Sequence, residues 1–237
     1  GRIFMSKERE ITSELVAELV TAGVLTGHKR SKTHPRMRQH IALNRNEIEL
    51  LDPESTISSL DAAVKFIAEK LGPEGLLMVV GTTAPAREAV KAFAHDFKYP
   101  YVVTRWLGGT LTNFKVISDR VRYYVDLRDK KEKGELSKYT KKEQLKFSEE
   151  IGKMSITFDG LLRLTRLPNV LFVIDPKEHM TAIKEANRLK IPVVALIDTN
   201  DDPKLVTKPI FGNDHSKDSI TWVIEKVREG LEPLKKK

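Results

Sequence analysis

Residues 170–197 read VLFVIDPKEHMTAIKEANRLKIPVVALI. Two solid apolar runs, Val170-Leu171-Phe172-Val173-Ile174 and Val193-Val194-Ala195-Leu196-Ile197, flank a helical stretch from Pro176 to Leu189. An unbroken Val/Ile/Leu run of this length fits a strand buried on both faces, and two such strands joined by a helix make a parallel pair. The same rhythm recurs on either side. Leu76-Leu77-Met78-Val79-Val80 precedes a helix over Pro85 to Phe97, Tyr101-Val102-Val103 is another short run, and Pro209-Ile210-Phe211 precedes a helix from about Ser216 to Gly230. Right-handed crossovers turn this alternation into a doubly wound α/β layer structure with a mainly parallel sheet.

Upstream, Ile11, Leu15, Leu19 and Ala22 give a helix over Ile11 to Ala22 that Gly23 stops. Gly27 to His40 is polar, contains Pro35 and has no useful period, so it reads as a loop. Ile41 to Leu43 and Ile48 to Leu51, separated by Asn44-Arg45-Asn46-Glu47, read as a small hairpin. Asp52 and Pro53 then supply a cap and a first-turn proline for a helix that runs to about Leu71 and ends at Gly72-Pro73.

One segment breaks the alternation. Between Tyr101-Val102-Val103 and Val170 no strand is expected. Phe114, Ile117, Val121 and Tyr124 repeat at 3, 4 and 3, and Phe147, Ile151, Met154, Phe158, Leu161 and Thr165 at 4, 3, 4, 3 and 4. Each is a narrow heptad seam on a helix, and Lys133-Gly134-Glu135-Leu136-Ser137 supplies the turn between them. The expectation is an α-hairpin inserted into the α/β domain. Its outer face is charged, with eleven Lys or Arg against seven Asp or Glu from Arg120 to Lys153. That pattern suits a solvated coiled-coil face, or contact with RNA or neighbouring proteins.

The 237 residues carry 41 Lys or Arg against 33 Asp or Glu, a formal charge of +8, and no cysteine. The missing thiols exclude a disulfide scaffold, thiolate zinc sites, iron–sulfur ligation and cysteine nucleophiles. No apolar run reaches the roughly 20 residues that span a bilayer, and the first ten residues contain no hydrophobic signal core. The expectation is a soluble intracellular protein, with Lys235-Lys236-Lys237 as a disordered basic tail. Positive charge suggests an anionic partner, most simply nucleic acid.

The basic loop carries that suggestion furthest. From Gly27 to Arg45 there are six cations, Lys29, Arg30, Lys32, Arg36, Arg38 and Arg45, and no acidic residue. Closely spaced cations on an irregular backbone suit phosphates. His28, His34 and His40 share the loop and offer metal-ligand chemistry, but the surrounding cations repel a dication and no carboxylate is near in sequence. A second candidate is Thr104-Arg105-Trp106-Leu107-Gly108-Gly109-Thr110-Leu111-Thr112-Asn113-Phe114, where Gly108-Gly109 permits a tight turn. Arg105 offers a guanidinium and Trp106 a ring for stacking or packing. Gly81-Thr82-Thr83-Ala84-Pro85 opens a helix after a strand, where phosphate loops sit, yet it matches no nucleotide motif. Asp175 and Asp198-Thr199-Asn200-Asp201-Asp202 are acidic strand ends, suited to magnesium or, more simply, to turns and caps.

Several of these stretches resemble one family. Ala22-Gly23-Val24-Leu25-Thr26-Gly27-His28-Lys29, followed by His34-Pro35-Arg36-Met37, is similar to the opening signature of the second small-subunit ribosomal protein family in its bacterial and organellar form. Arg105 to Phe114 looks like that family's most specific motif. Leu167 to Asp175, Ile183-Lys184-Glu185-Ala186-Asn187, Asp198 to Pro203 and Gly212-Asn213-Asp214 also match in order. The chain departs from the family at Leu25-Thr26, usually His-Phe, at Thr21, usually Met, and before His34-Pro35, where an aromatic is usual.

The resemblance implies a flavodoxin-like three-layer α/β domain with a long coiled-coil hairpin inserted. The layout is an RNA-binding α/β domain over 1–109 and 166–232, the hairpin over 110–165 and a basic tail over 233–237. It implies a structural, non-catalytic constituent of the small ribosomal subunit in the cytoplasm or an organelle. Its partners are small-subunit ribosomal RNA and neighbouring ribosomal proteins, including the large mRNA-binding one, with no membrane and no small-molecule substrate. The expected RNA-contacting residues are His28, Lys29, Arg30, Lys32, Arg36, Arg38, Arg45, Arg105, Trp106 and Asn113, with no metal and no cofactor. The alternatives are a nucleotide- or magnesium-dependent α/β enzyme using the strand-end crevice, and a protein-interaction module acting through the arm.

Overall fold

The computed structural model describes residues 11–72 and 74–235. Its centre is a five-stranded parallel sheet of β4 (Leu77–Val80), β5 (Tyr101–Val102), β6 (Val170–Ile174), β7 (Val193–Ile197) and β8 (Lys208–Phe211), in the order β5-β4-β6-β7-β8. Every residue of β4, β6 and β7 is buried, as the unbroken apolar runs require. The register sets Val79 beside Phe172 and Phe172 beside Val194.

Chain order explains the layers. From the middle of the sheet, β4 crosses outward to β5 through α3 (Arg87–Phe97), and β6 crosses the other way to β7 through α6 (Met180–Arg188). Right-handed crossovers in opposite directions put these helices on opposite faces. The helices α2 (Pro53–Leu71) and α7 (Lys217–Leu231) pack together, and α7 also packs on α3. At one contact Gly230 lies where any added Cβ would meet the Val64 side chain at 2.3 Å. The architecture is that of a three-layer α/β fold.

The N-terminal region departs from the expected plan. Helix α1 is Ser13–Thr21, opening at Thr12, whose hydroxyl accepts from Leu15 N at 3.2 Å. The stretch expected as a loop contains a strand, β1 (Thr26–Lys29), and two 3-10 turns, Arg30–Lys32 and Pro35–His40. Strand β1 joins β2 (Ile41–Arg45) and β3 (Ile48–Leu51) in an antiparallel sheet ordered β1-β3-β2. No alternation announced β1 because none of its residues is fully buried. Long-range bonds hold it instead, Leu51 N to Leu25 O at 2.8 Å and Arg30 N to Glu47 O at 2.9 Å.

Between β5 and β6 no strand occurs. Helices α4 (Phe114–Glu132) and α5 (Lys141–Phe158) meet through Tyr124 donating to Asp159 at 2.6 Å and Tyr123 donating to Glu150 at 3.3 Å. Gly134 at φ 75° ends α4, and Thr140 with Glu143 forms a capping box for α5. The heptad pattern runs to Thr165, but α5 stops at Phe158 in a 3-10 turn, Asp159–Leu161. The cause is tertiary: the backbone of Gly160 lies so close to Tyr101 that an added Cβ would stand 2.1 Å from the Tyr101 carbonyl oxygen. Of the expected disordered tail, Lys235 is ion-paired with Asp96 and Glu232, and 236–237 lie outside the described residues, as do 1–10. Among the described residues no helix is long and apolar enough to cross a membrane.

Candidate nucleic-acid interface

The basic segment is stitched to the carboxyl end of β7. His28 N donates to Thr199 Oγ1 at 2.9 Å, and His34 N donates to Thr199 O at 2.8 Å. Gly27 makes this approach possible, since a Cβ there would lie 2.4 Å from Thr199 Cγ2. Arg36 Nη1 sits 2.6 Å from Asp202 Oδ2, and His28 Nδ1 sits 3.0 Å from Asp198 Oδ2. Met37, fully buried, anchors the second 3-10 turn. His40 turns inward, its ring stacked on Phe211 at 3.9 Å.

These bonds divide the predicted residues. Lys29, Arg30, Lys32, Arg38 and Arg45 are exposed, and none of them forms an ion pair among the described residues. Arg36 is exposed but shares its charge with Asp202. His28 is half-buried and faces carboxylates rather than solvent.

The second cluster follows β5. Arg105 and Asn113 are exposed, whereas Trp106 is half-buried, packs against the core and donates its indole N–H to Glu185 Oε1 at 3.1 Å. Of its two sequence readings, stacking platform or packing residue, the geometry is that of packing. Both clusters follow carboxyl ends of parallel strands, so they lie at the same end of the sheet. β5 and β7 are three strand spacings apart, about 14 Å.

Between them is the crevice where a nucleotide loop was weighed. Thr82 at its mouth is already engaged. Thr82 N donates to His179 Nε2 at 3.1 Å, and His179 Nδ1 bonds the Asp175 carbonyl at 2.7 Å. Arg87 Nε donates back to Thr82 O at 2.9 Å.

One grouping was hidden by sequence order. Asp175, Asp198, Asp201 and Asp214 are all buried at the strand ends. His28, Asp198 and His215, and likewise Asp175, Asp214 and His215, offer ligand atoms within 4.8 Å of one another. Burial pushes the Asp175, Asp201 and Asp214 carboxyls up, Asp214 furthest. The hydrogen bond to Asp214 raises His215 to about 9. Among the described residues Asp201 Oδ1 and Asp214 Oδ2 have no hydrogen-bond partner. Carboxylates taken out of water need compensation, and this imidazole–carboxylate set could hold a divalent ion such as zinc. The reading of the loop alone expected no metal because the carboxylates come from distant segments.

Glu185 on α6, part of a matching stretch in the sequence, was given no role there. It is buried, and it accepts five hydrogen bonds from residues 106–112. Burial alone raises its pKa, but the donors from Gly109, Thr112, Trp106 and Leu111 outweigh this and hold it below the ordinary carboxylate value. A signal was present: Glu185 stands between Ala182 and Ala186 on the buried stripe of an amphipathic helix, where an acid needs partners.

The chain is similar to known proteins of one family. A family model described as Ribosomal protein S2 matches residues 19–232. The small ribosomal subunit protein uS2 of Dictyoglomus thermophilum is 38% identical over 217 residues, covering 92% of this chain and 88% of that protein. The protein of the same name from Roseiflexus sp. (strain RS-1) is 40% identical over 211 residues, covering 89% and 80%. That of Rhodopirellula baltica is 36% identical over 221 residues, covering 93% and 85%.

Proposed function

The chain belongs to the ribosomal protein S2 family, and from this premise we propose that it binds small-subunit ribosomal RNA through the basic segment after β1 and the Arg105 turn after β5. The family is structural and the chain is not an enzyme; its role is in the small ribosomal subunit and in translation. The alternative of a crevice enzyme is set aside on that ground, and the engagement of Thr82 by His179 is in keeping with it.

The observation that carries the reading is the state of Lys29, Arg30, Lys32 and Arg38. They are exposed, they have no ion pair among the described residues, and they ride on a segment fixed to the sheet by Thr199 and Asp202. A positioned row of exposed cations suits a phosphate backbone. In the same proposal, α4 and α5 form the projecting coiled-coil arm, whose charged face contacts RNA or neighbouring proteins, and the α/β body helps dock the large mRNA-binding ribosomal protein. The ribosome concerned is cytoplasmic or organellar. Sedimenting a lysate at low and then high salt tests the proposal. The chain is expected to travel with the small subunit at low salt and to be released as salt rises. A chain that stays at the top of the gradient at low salt contradicts it.

A further inference from the structure

The Arg105 turn is built around one side chain that does not belong to it. Glu185 Oε1 accepts from Trp106 Nε1 at 3.1 Å and from Gly109 N at 2.8 Å. Its Oε2 accepts from Leu111 N at 3.0 Å, from Thr112 N at 3.1 Å and from Thr112 Oγ1 at 3.1 Å. Convergent backbone N–H groups of this kind make an anion-binding concavity. Gly109, at φ 90°, has the left-handed backbone that lets the chain fold round the carboxylate. The turn also closes on itself, with Asn113 N donating to Gly109 O at 2.8 Å and Thr110 Oγ1 donating to Leu107 O at 2.6 Å. Among the described residues Glu185 forms no ion pair, so its charge is met by these donors alone.

Two consequences follow. The backbone of this turn is not free to bind a phosphate, because an internal carboxylate already fills the place. The turn is also rigid where its exposed ends need to be placed. Arg105 leaves the turn on one side. Asn113 leaves on the other, makes no side-chain cap bond to α4 and is exposed. We propose that Glu185 is a positioning residue for RNA binding, an internal anion that occupies the 106–112 concavity and so fixes Arg105 and Asn113 for contact with ribosomal RNA. This rests on the reading of the Arg105 turn as part of the RNA interface.

Binding of full-length chains to small-subunit ribosomal RNA, titrated over a salt series, tests the inference alongside thermal melts. The set is wild type, Arg105→Ala, Glu185→Gln and the double variant. Glutamine keeps the shape but turns a donor toward donors. Arg105→Ala is expected to weaken binding about tenfold, to lower the salt slope by about one and to leave the melting temperature unchanged. Glu185→Gln is expected to weaken binding about fivefold well below its melting temperature, and to weaken it by clearly less than that in the Arg105→Ala background, where only the Asn113 contact is left to misplace. A Glu185→Gln chain that melts earlier but binds RNA like wild type overturns the inference, leaving Glu185 a purely structural residue. Penalties that multiply in the double variant also overturn it. If Arg105→Ala binds like wild type, the reading of the turn as an RNA contact fails first. Should Glu185→Gln not fold, Glu185→Asp, which keeps the charge but shortens its reach by one methylene, carries the same comparison.

Discussion

Replacing Lys29, Arg30, Lys32 and Arg38 together with glutamine is expected to weaken binding to small-subunit ribosomal RNA roughly 10³-fold at 0.1 M salt, and to lower the slope of log K against log salt by about 3. Each cation that meets a phosphate releases a counterion, so four lost contacts change the slope as well as the affinity. The difference from wild type should therefore shrink as salt approaches 1 M. Stability should hardly move, because the four side chains are exposed and have no ion pair among the described residues. Arg36 is left out of the set on purpose. Its guanidinium lies 2.6 Å from Asp202, so it contributes to holding the segment and brings less free charge to a phosphate. The Asp202 carboxyl is held low by a backbone hydrogen bond from Lys204 and by Arg36 beside it. A quadruple variant with unchanged slope would remove the basic segment from the interface.

Phe172→Ala is expected to cost about 3–5 kcal/mol and to lower the melting temperature by on the order of 10 °C. Phe172 is fully buried at the centre of β6, with Val79 beside it on β4 and Val194 beside it on β7. A cavity there has strands on both sides and helices above and below, and such surroundings collapse poorly into the space. Affinity for RNA, measured well below the lowered melting point, should stay near wild type, since the exposed cations are untouched. Calorimetry and RNA titration on the same variant read both outcomes. A loss below about 1 kcal/mol would mean that β6 is not the centre of the sheet.

These two variants separate what residue patterns revealed from what they concealed. The strands β4, β6 and β7 were legible because burial on both faces forces apolar residues at every position. Strand β1 was not, because it is held by pairing to β3 and by the His28 N–H bond to the Thr199 hydroxyl and needs no apolar code. The helices α4 and α5 were legible from their spacing, but the end of α5 at Phe158 depends on how near Gly160 comes to Tyr101, a contact between distant residues.

The same distinction applies to the interface. Lys29 to Arg38 stood out as cations without acids, yet the acids that pin Arg36 and His28, Asp202 and Asp198, arrive from the far end of the chain. Trp106 was visible as an aromatic next to an arginine, but its commitment to Glu185 needed the fold. Sequence spacing records local periodicity; it does not record which strand ends meet.

The absence of cysteine allows one direct measurement. Ser31→Cys places a single thiol in the 3-10 turn between Arg30 and Lys32, and Thr221→Cys places one on the exposed side of α7. Each, carrying an iron chelate that cleaves nearby RNA by hydroxyl radicals, is assembled into small subunits. The expected result is strong cleavage of small-subunit ribosomal RNA from position 31 and little from position 221. Cleavage from position 221 with none from position 31 would contradict the account, because it would turn the exposed cations of the basic segment away from the RNA.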